Sequence, residues 1–382
     1  MRRFVVVLTV WAMSFAWVLG GLSPVTASAA AGGSSAYSFG YNFSGQLGDS
    51  TTTNRSAPVP VGSETSWASV AAGNLHTVAV RTDGSLWAWG YNALGQLGDG
   101  TTTNRSTPVR VGTDTNWTSV AVGNYHTVGV KTDGTLWAWG YNASGQLGDG
   151  STGSALTPIQ VGSAKTWASA SAGDVHTVAV RTDGTLWACG SNSSGQLGDG
   201  TTTTRLTPTP VGTAKTWAAA SAGRAYTLAV STDGTLWAWG SNSYGQLGDG
   251  STTSRSTPVQ VGNGTGWTSV AAGDFHTVGI KAGGTLWAWG SNSCGQLGDG
   301  STTSRSTPVQ VGNGTGWTSA AVGYFHTAAV KNDGTLWAWG SNSSGQLGDG
   351  STINRSTPIQ VGTDTGWTSV AAGNLHTVAL RS

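Results

Sequence analysis

Trp117-Thr-Ser-Val-Ala-Val-Gly-Asn-Tyr-His126-Thr-Val-Gly-Val-Lys-Thr-Asp-Gly134-Thr-Leu-Trp-Ala-Trp139-Gly carries the information that decides the fold. Two apolar alternating runs flank Thr132-Asp133-Gly134, which supplies a tight turn, since Asp-Gly between such runs is the strongest local hairpin signal. The reading predicts strand A over Trp117–Gly123, strand B over His126–Val130 and strand C over Leu136–Trp139. A Gly-rich loop follows, and Pro158–Val161 is the predicted strand D. Proline has no N–H to give to a ladder, so Pro at this place marks D as the edge strand.

The same pattern returns every 50 residues without insertion or deletion. Gly-Gln-Leu-Gly begins at Gly45, Gly95, Gly145, Gly195, Gly245, Gly295 and Gly345, and a proline opens each predicted D from Pro58 to Pro358. A fixed period of this size means an array of one supersecondary unit. Four antiparallel strands per unit and seven units predict an all-β, seven-bladed β-propeller, with the small-residue strand A nearest the crowded axis. Composition agrees: 60 glycines, 20 tryptophans and only 9% charged residues disfavour long helices and suit short strands joined by turns. The phase at the two ends predicts closure. Ala36–Gly40 is a C strand with Tyr37 and Phe39 in the tryptophan places, Pro58–Val61 is its D strand, and Trp367–Gly373 and His376–Leu380 supply A and B. One blade would then be shared by the N- and C-terminal strands, leaving no open edge.

The motifs Gly-x-x-His-Thr-x-Ala-Val, Asp-Gly-Thr-Leu-Trp-Ala-Trp-Gly and Asn-x-x-Gly-Gln-Leu-Gly, in that order, resemble the regulator of chromosome condensation repeat. The resemblance implies a seven-bladed propeller and reaches over essentially all of the chain beyond the first 30 residues. It implies fold more firmly than function. The namesake eukaryotic members look like nuclear guanine-nucleotide exchange factors for a small GTPase, whereas exported bacterial members of similar plan include a proteinaceous β-lactamase inhibitor. This chain has no basic nuclear-targeting arm, and its blades are unusually uniform.

Residues 1–30 stand outside the repeat. Arg2-Arg3, an apolar run over 4–22 and Ala27-Ser28-Ala29 have the layout of a secretory signal peptide, which predicts an extracellular protein formed by residues 31–382. The alternative is a membrane anchor made by residues 4–22, since that run approaches a spanning length. The net charge is +1, and without Arg2 and Arg3 the remaining 16 basic and 17 acidic residues give −1. No basic field is available for nucleic acid or an anionic membrane surface.

Candidate chemistry is thin. The six histidines, His76, His126, His176, His276, His326 and His376, share one repeat position, with Tyr226 in the seventh place. Distributed around a ring, they read as structural hydrogen-bonding groups and not as metal ligands. Asp49 and its equivalents read as turn carboxylates, because a calcium site needs several clustered acids. Cys189 and Cys294, two units apart, read as unpaired thiols. No nucleophile elbow, phosphate loop or Cys/His metal spacing is present, so no cofactor, metal or catalysis is expected.

Function is therefore sought where the copies differ. The two residues before each histidine vary most, and they lie in the A–B turn, on the same face as the C–D loop of an up-and-down blade. That face collects Tyr125, Phe275, Tyr324, Phe325 and Tyr244 with Asp174, Asp274 and Arg224. Aromatics and arginine on a rigid surface are common anchors of protein interfaces. The expectation is a monomeric, exported module that binds a protein, with carbohydrate as a second partner class. A GTPase exchange factor and a glycan-active enzyme are the rivals. The enzyme would need acidic pairs converging in the axial channel, and no such pair is evident in the sequence.

Overall fold

In a computed structural model that describes residues 33–212 and 215–382, the chain forms seven four-stranded antiparallel sheets set around one axis. Blade 1 is Trp67–Ala72, His76–Arg81, Leu86–Gly90 and Arg105–Arg110, paired in that order. Blades 2 to 6 repeat this order, beginning at Trp117, Trp167, Trp217, Trp267 and Trp317. Blade 7 joins the chain ends: Trp367–Ala372 and His376–Arg381 supply A and B, while Ser35–Gly40 and Arg55–Pro60 supply C and D. The closing pair is in continuous register from Ser35↔Arg381 to Gly40↔His376. The predicted propeller and its shared blade are thus both present.

Strand D begins earlier than the sequence reading placed it. In blade 2 it runs from Ala155 to Gln160, so Pro158 lies inside the strand instead of opening it. The ladder explains this. Ala155 pairs Gly140 and Ile159 pairs Ala138, with a register shift between them, and Pro158 sits in that irregular stretch where no N–H is required. D remains the outermost strand of each sheet.

Adjacent blades lock through the Gly-Gln-Leu-Gly loop. Leu47 is fully buried, and the Gln46 carbonyl accepts two bonds from blade 1: Trp89 Nε1 at 2.9 Å and Thr77 Oγ1 at 2.9 Å. Gly48 has φ +69°, and a Cβ there would meet the Trp89 indole at 2.8 Å, so this position admits only glycine. The second tryptophan of strand C therefore reaches into its neighbour's loop, and burial explains why it recurs. The first tryptophan is only half-buried, and it carries the last residue of strand B on its face, with Arg81 3.8 Å from the Trp87 ring and Lys131 3.8 Å from Trp137.

The same loop orients strand D. Asn42 Nδ2 donates to Asp49 at 3.0 Å, and the other Asp49 oxygen takes Arg55 Nε at 2.7 Å, at the first residue of D. Asp99, Asp199, Asp249, Asp299 and Asp349 repeat this ion pair. In blade 2 the arginine place is Ala155, and Asp149 keeps only its Asn142 and Ser151 partners. These are turn carboxylates. No cluster of three or more metal-ligating side chains occurs among the described residues.

Both cysteines are free. Cys189 takes the place of the buried tryptophan in blade 3, and burial pushes its thiol up to about 12. Among the described residues no helix is long and apolar enough to cross a membrane. The predicted signal segment lies outside the described residues.

Candidate binding face

The turn joining A to B places two neighbouring positions in different surroundings. The histidine that starts strand B points into the protein and is fully buried in all six copies. Each ring bonds to the threonine of the next blade: His76 to Thr127 at 3.2 Å, His126 to Thr177 at 2.9 Å, and so on to His376 and Thr77 at 3.1 Å. Tyr226 fills its own place by bonding Thr277 at 3.0 Å and the His276 carbonyl at 2.7 Å. The seven contacts close a belt through all seven blades.

The hydroxyl proton of each threonine is committed to a glutamine carbonyl, as in Thr127 to Gln96 at 2.8 Å. Histidine Nε2 must therefore be the donor, which fixes the neutral Nε2–H tautomer. Nδ1 is left buried without a partner in all six rings. Burial, with repulsion from the neighbouring ring in several copies, holds these imidazoles down at about 3 for His76, His126, His276 and His376, and about 4 for His176 and His326. The belt is structural, and its imidazoles are uncharged at neutral pH.

Two residues earlier, the chain rims the axis. Successive turns are tied together by backbone bonds such as Arg224 N to Gly273 O at 3.2 Å and Asn374 N to Gly73 O at 3.2 Å. The axial channel is a cavity of about 140 Å³ walled by small residues of the A strands, and Asn124, Asp174, Arg224, Asp274 and Asn374 stand at its mouth. Asp174 accepts from Asn124 Nδ2 at 2.7 Å and lies 3.7 Å from Arg224 Nε. Asp274 is 8% exposed and has no hydrogen-bond or ion-pair partner among the described residues. Burial and the Asp174 charge push its carboxyl up to about 7, against a smaller opposing effect of Arg224. Asp174 and Asp274 thus line the same mouth from alternate blades, with Arg224 of the blade between them. The sequence did not bring them together, because Asp174 and Asp274 are 100 positions apart and share the mouth only through the curvature of the ring.

The aromatic candidates fall into two groups. Tyr244 touches Phe275 with ring centres 5.1 Å apart, and Phe275 meets Tyr324 at 5.2 Å and stacks on Phe325 at 5.7 Å. Tyr324 and Phe325 are 4.3 Å apart, and the Arg224 guanidinium lies 5.1 Å from the Phe275 ring centre. One continuous patch thus crosses blades 4 to 6 and reaches the channel mouth. Tyr244 and Arg224 are exposed, and the other three rings are half-buried. Tyr125 contacts none of this patch. Its hydroxyl accepts from Asn74 at 3.1 Å and its ring meets Tyr141 at 6.4 Å. Tyr141 belongs to a set that the sequence reading missed. Tyr41, Tyr91 and Tyr141 follow the strand C glycine in blades 7, 1 and 2, where the other blades have serine. Phe43, 68% exposed, sits beside Tyr41 at 4.8 Å. That tyrosine-to-serine change at one repeat position was the available signal.

Sequence and structure comparisons agree on the class. The RCC1-like domain model matches residues 165–382, and the regulator of chromosome condensation (RCC1) repeat model matches 34–80, 83–130 and 133–180. The chain belongs to this family of propellers. No curated protein matches it significantly. Among solved structures it is similar to human WBSCR16, with 22% identity, TM-score 0.82, and coverage of 91% of this chain and 99% of the other. It is also similar to Prp20p of Saccharomyces cerevisiae, with 21% identity, TM-score 0.83 and 93% coverage of both chains. Yeast RCC1 (Prp20) in the structure with Kap60 gives 19% identity, TM-score 0.85, and coverage of 100% and 96%. At these identities the likeness shows the fold alone.

Proposed function

We propose that this chain is an exported, non-catalytic module that binds another protein through the face formed by its A–B turns and C–D loops. The observation that carries this reading is the continuous patch of Tyr244, Phe275, Tyr324 and Phe325 capped by Arg224. These residues break the repeat, so the fold does not require them, and the patch unites the residue types that dominate interface hot spots. Export rests on the composition of residues 1–30, and cleavage near Ala29 would release the propeller. Inhibitor, adhesin and surface scaffold are the roles such a module serves.

Guanine-nucleotide exchange on a small GTPase is the second reading. Family membership favours it, and Prp20p is described by its binding to Gsp1p and histones. The two readings separate in one experiment. Proteins captured from surrounding fluid by the chain are identified, purified and titrated individually, while a panel of small GTPases is assayed for nucleotide release. A direct complex with an extracellular protein, and no change in nucleotide release, supports the binding module. Faster release from any GTPase replaces it with the exchange factor.

A further inference from the structure

The mouth of the axial channel holds a charge arrangement that the propeller itself leaves incomplete. Asp174 and Asp274 converge on it from blades 3 and 5, and Arg224 of blade 4 stands between them. That arginine does not complete the site. Its guanidinium is engaged with the Phe275 ring at 5.1 Å and approaches Asp174 only to 3.7 Å, beyond hydrogen-bond range. Asp174 has a second partner in Asn124 at 2.7 Å. Asp274 has none among the described residues, although it is 8% exposed and lines the cavity. Buried carboxylates are ordinarily paired or hydrogen-bonded, because a lone charge out of water is costly. Asp274 therefore opens on the channel through oxygens that keep some solvent access, where a cation supplied by a partner can reach them.

We propose that the axial mouth receives a lysine ammonium from the bound protein, seated between Asp274 and Asp174 beside the aromatic patch. The choice of ammonium follows from geometry. Two carboxylates from alternate blades present no planar fork of the kind a guanidinium matches, whereas a compact ammonium with three donors can serve groups on different sides. The cavity of about 140 Å³, walled by side chains such as Ala172, Ala222 and Val122, admits a slender chain. This inference rests on the binding-module reading and specifies the chemistry of the partner.

Ionisation of Asp274 should control the affinity. The groups that bear on it are Asp174 and Arg224, while the Tyr226 phenol nearby is itself pushed well above its usual range by burial and by Asp274. With the Asp274 carboxyl at about 7, the ionised fraction rises about tenfold from pH 6 to pH 8, so ammonium binding should strengthen about tenfold across that interval.

The test needs no knowledge of the partner. Nα-acetyl-lysine N-methylamide is titrated into the whole chain and followed by NMR, with the norleucine analogue as the uncharged control. Saturable shifts of the Asp274 carboxyl and of resonances at the channel mouth are expected for the lysine probe alone, about tenfold stronger at pH 8 than at pH 6. Asp274→Asn, which keeps shape and removes the charge, should weaken binding by tenfold or more with melting preserved, and Asp174→Asn should do so by less. Equal binding of both probes, unchanged binding in Asp274→Asn, or shifts confined to other blades would overturn the proposal. The aromatic patch is judged separately by protein capture. Capture that survives while the lysine probe fails to bind removes the axial role and leaves the binding module standing.

Discussion

Two rings run around this propeller only two residues apart in sequence, and they follow opposite rules. The belt at the start of strand B reads His, His, His, Tyr, His, His, His, and every member bonds to a threonine of the next blade. The rim before it reads Asn74, Asn124, Asp174, Arg224, Asp274, Tyr324 and Asn374, with no residue type dominating the ring. The belt is buried and shared between blades, so a change in one copy damages two. The rim opens on the channel mouth and can vary at little cost. The contrast teaches that in a uniform repeat protein constancy marks the joints, while variation marks the surface available for recognition.

The largest break expected is at ring closure. Removing residues 31–61 takes strands C and D from blade 7 and exposes the B strand that pairs over six positions with Ser35–Gly40. The truncated chain should lose its cooperative melting transition altogether. Persistence of a transition at a slightly lower temperature would mean that the blades are stable as an open array.

Acid should then attack the belt. The six histidines are held below their unfolded value of 6.5, at about 3 to 4, so between these limits the unfolded chain binds protons that the folded chain refuses. Their contribution to stability is complete above pH 6.5 and is lost as pH falls toward 4. With all six titrating, the slope approaches about 8 kcal/mol per pH unit. Urea unfolding at a series of pH values measures it, and stability that stays flat down to pH 4 would contradict the belt as drawn. A single joint comes next. Trp239→Ala removes a fully buried indole that bonds the Gln196 carbonyl at 3.0 Å, and should cost about 3–5 kcal/mol. The smallest effect concerns the thiols. Cys294, in a half-buried loop, should react with a thiol reagent in the folded protein, and Cys189 only after unfolding.

Much of this organisation was legible in the residues. The 50-residue spacing, the five Asp-Gly turns and the seven edge-strand prolines determine blade number, strand order and the shared blade, because each is a local constraint repeated along the chain. The start of strand D was misplaced because Pro158 was read as a strand opener, whereas the ladder accommodates it at a register shift. The candidate face was legible as a set of variable positions, but not its grouping. Tyr125 falls away from the patch formed around Phe275, and Asp174 and Asp274 share the channel mouth, because both groupings depend on ring curvature that no single repeat encodes. Tyr41, Tyr91 and Tyr141 were overlooked because tyrosine and serine differ there between halves of the chain and not from copy to copy.

The claim that the varied rim and loops, and not the repeated core, do the binding is tested most directly by one titration. The dissociation constant for a purified captured protein is measured with the native chain and with Phe275→Ala/Tyr324→Ala/Phe325→Ala, each checked by thermal melting. The account predicts a loss of at least about 30-fold in affinity, as for two or more kcal/mol at a hot spot, with the propeller still folded. Tyr125→Ala, outside the patch, should change it far less. An unchanged dissociation constant in the folded triple variant would contradict the assignment of this face.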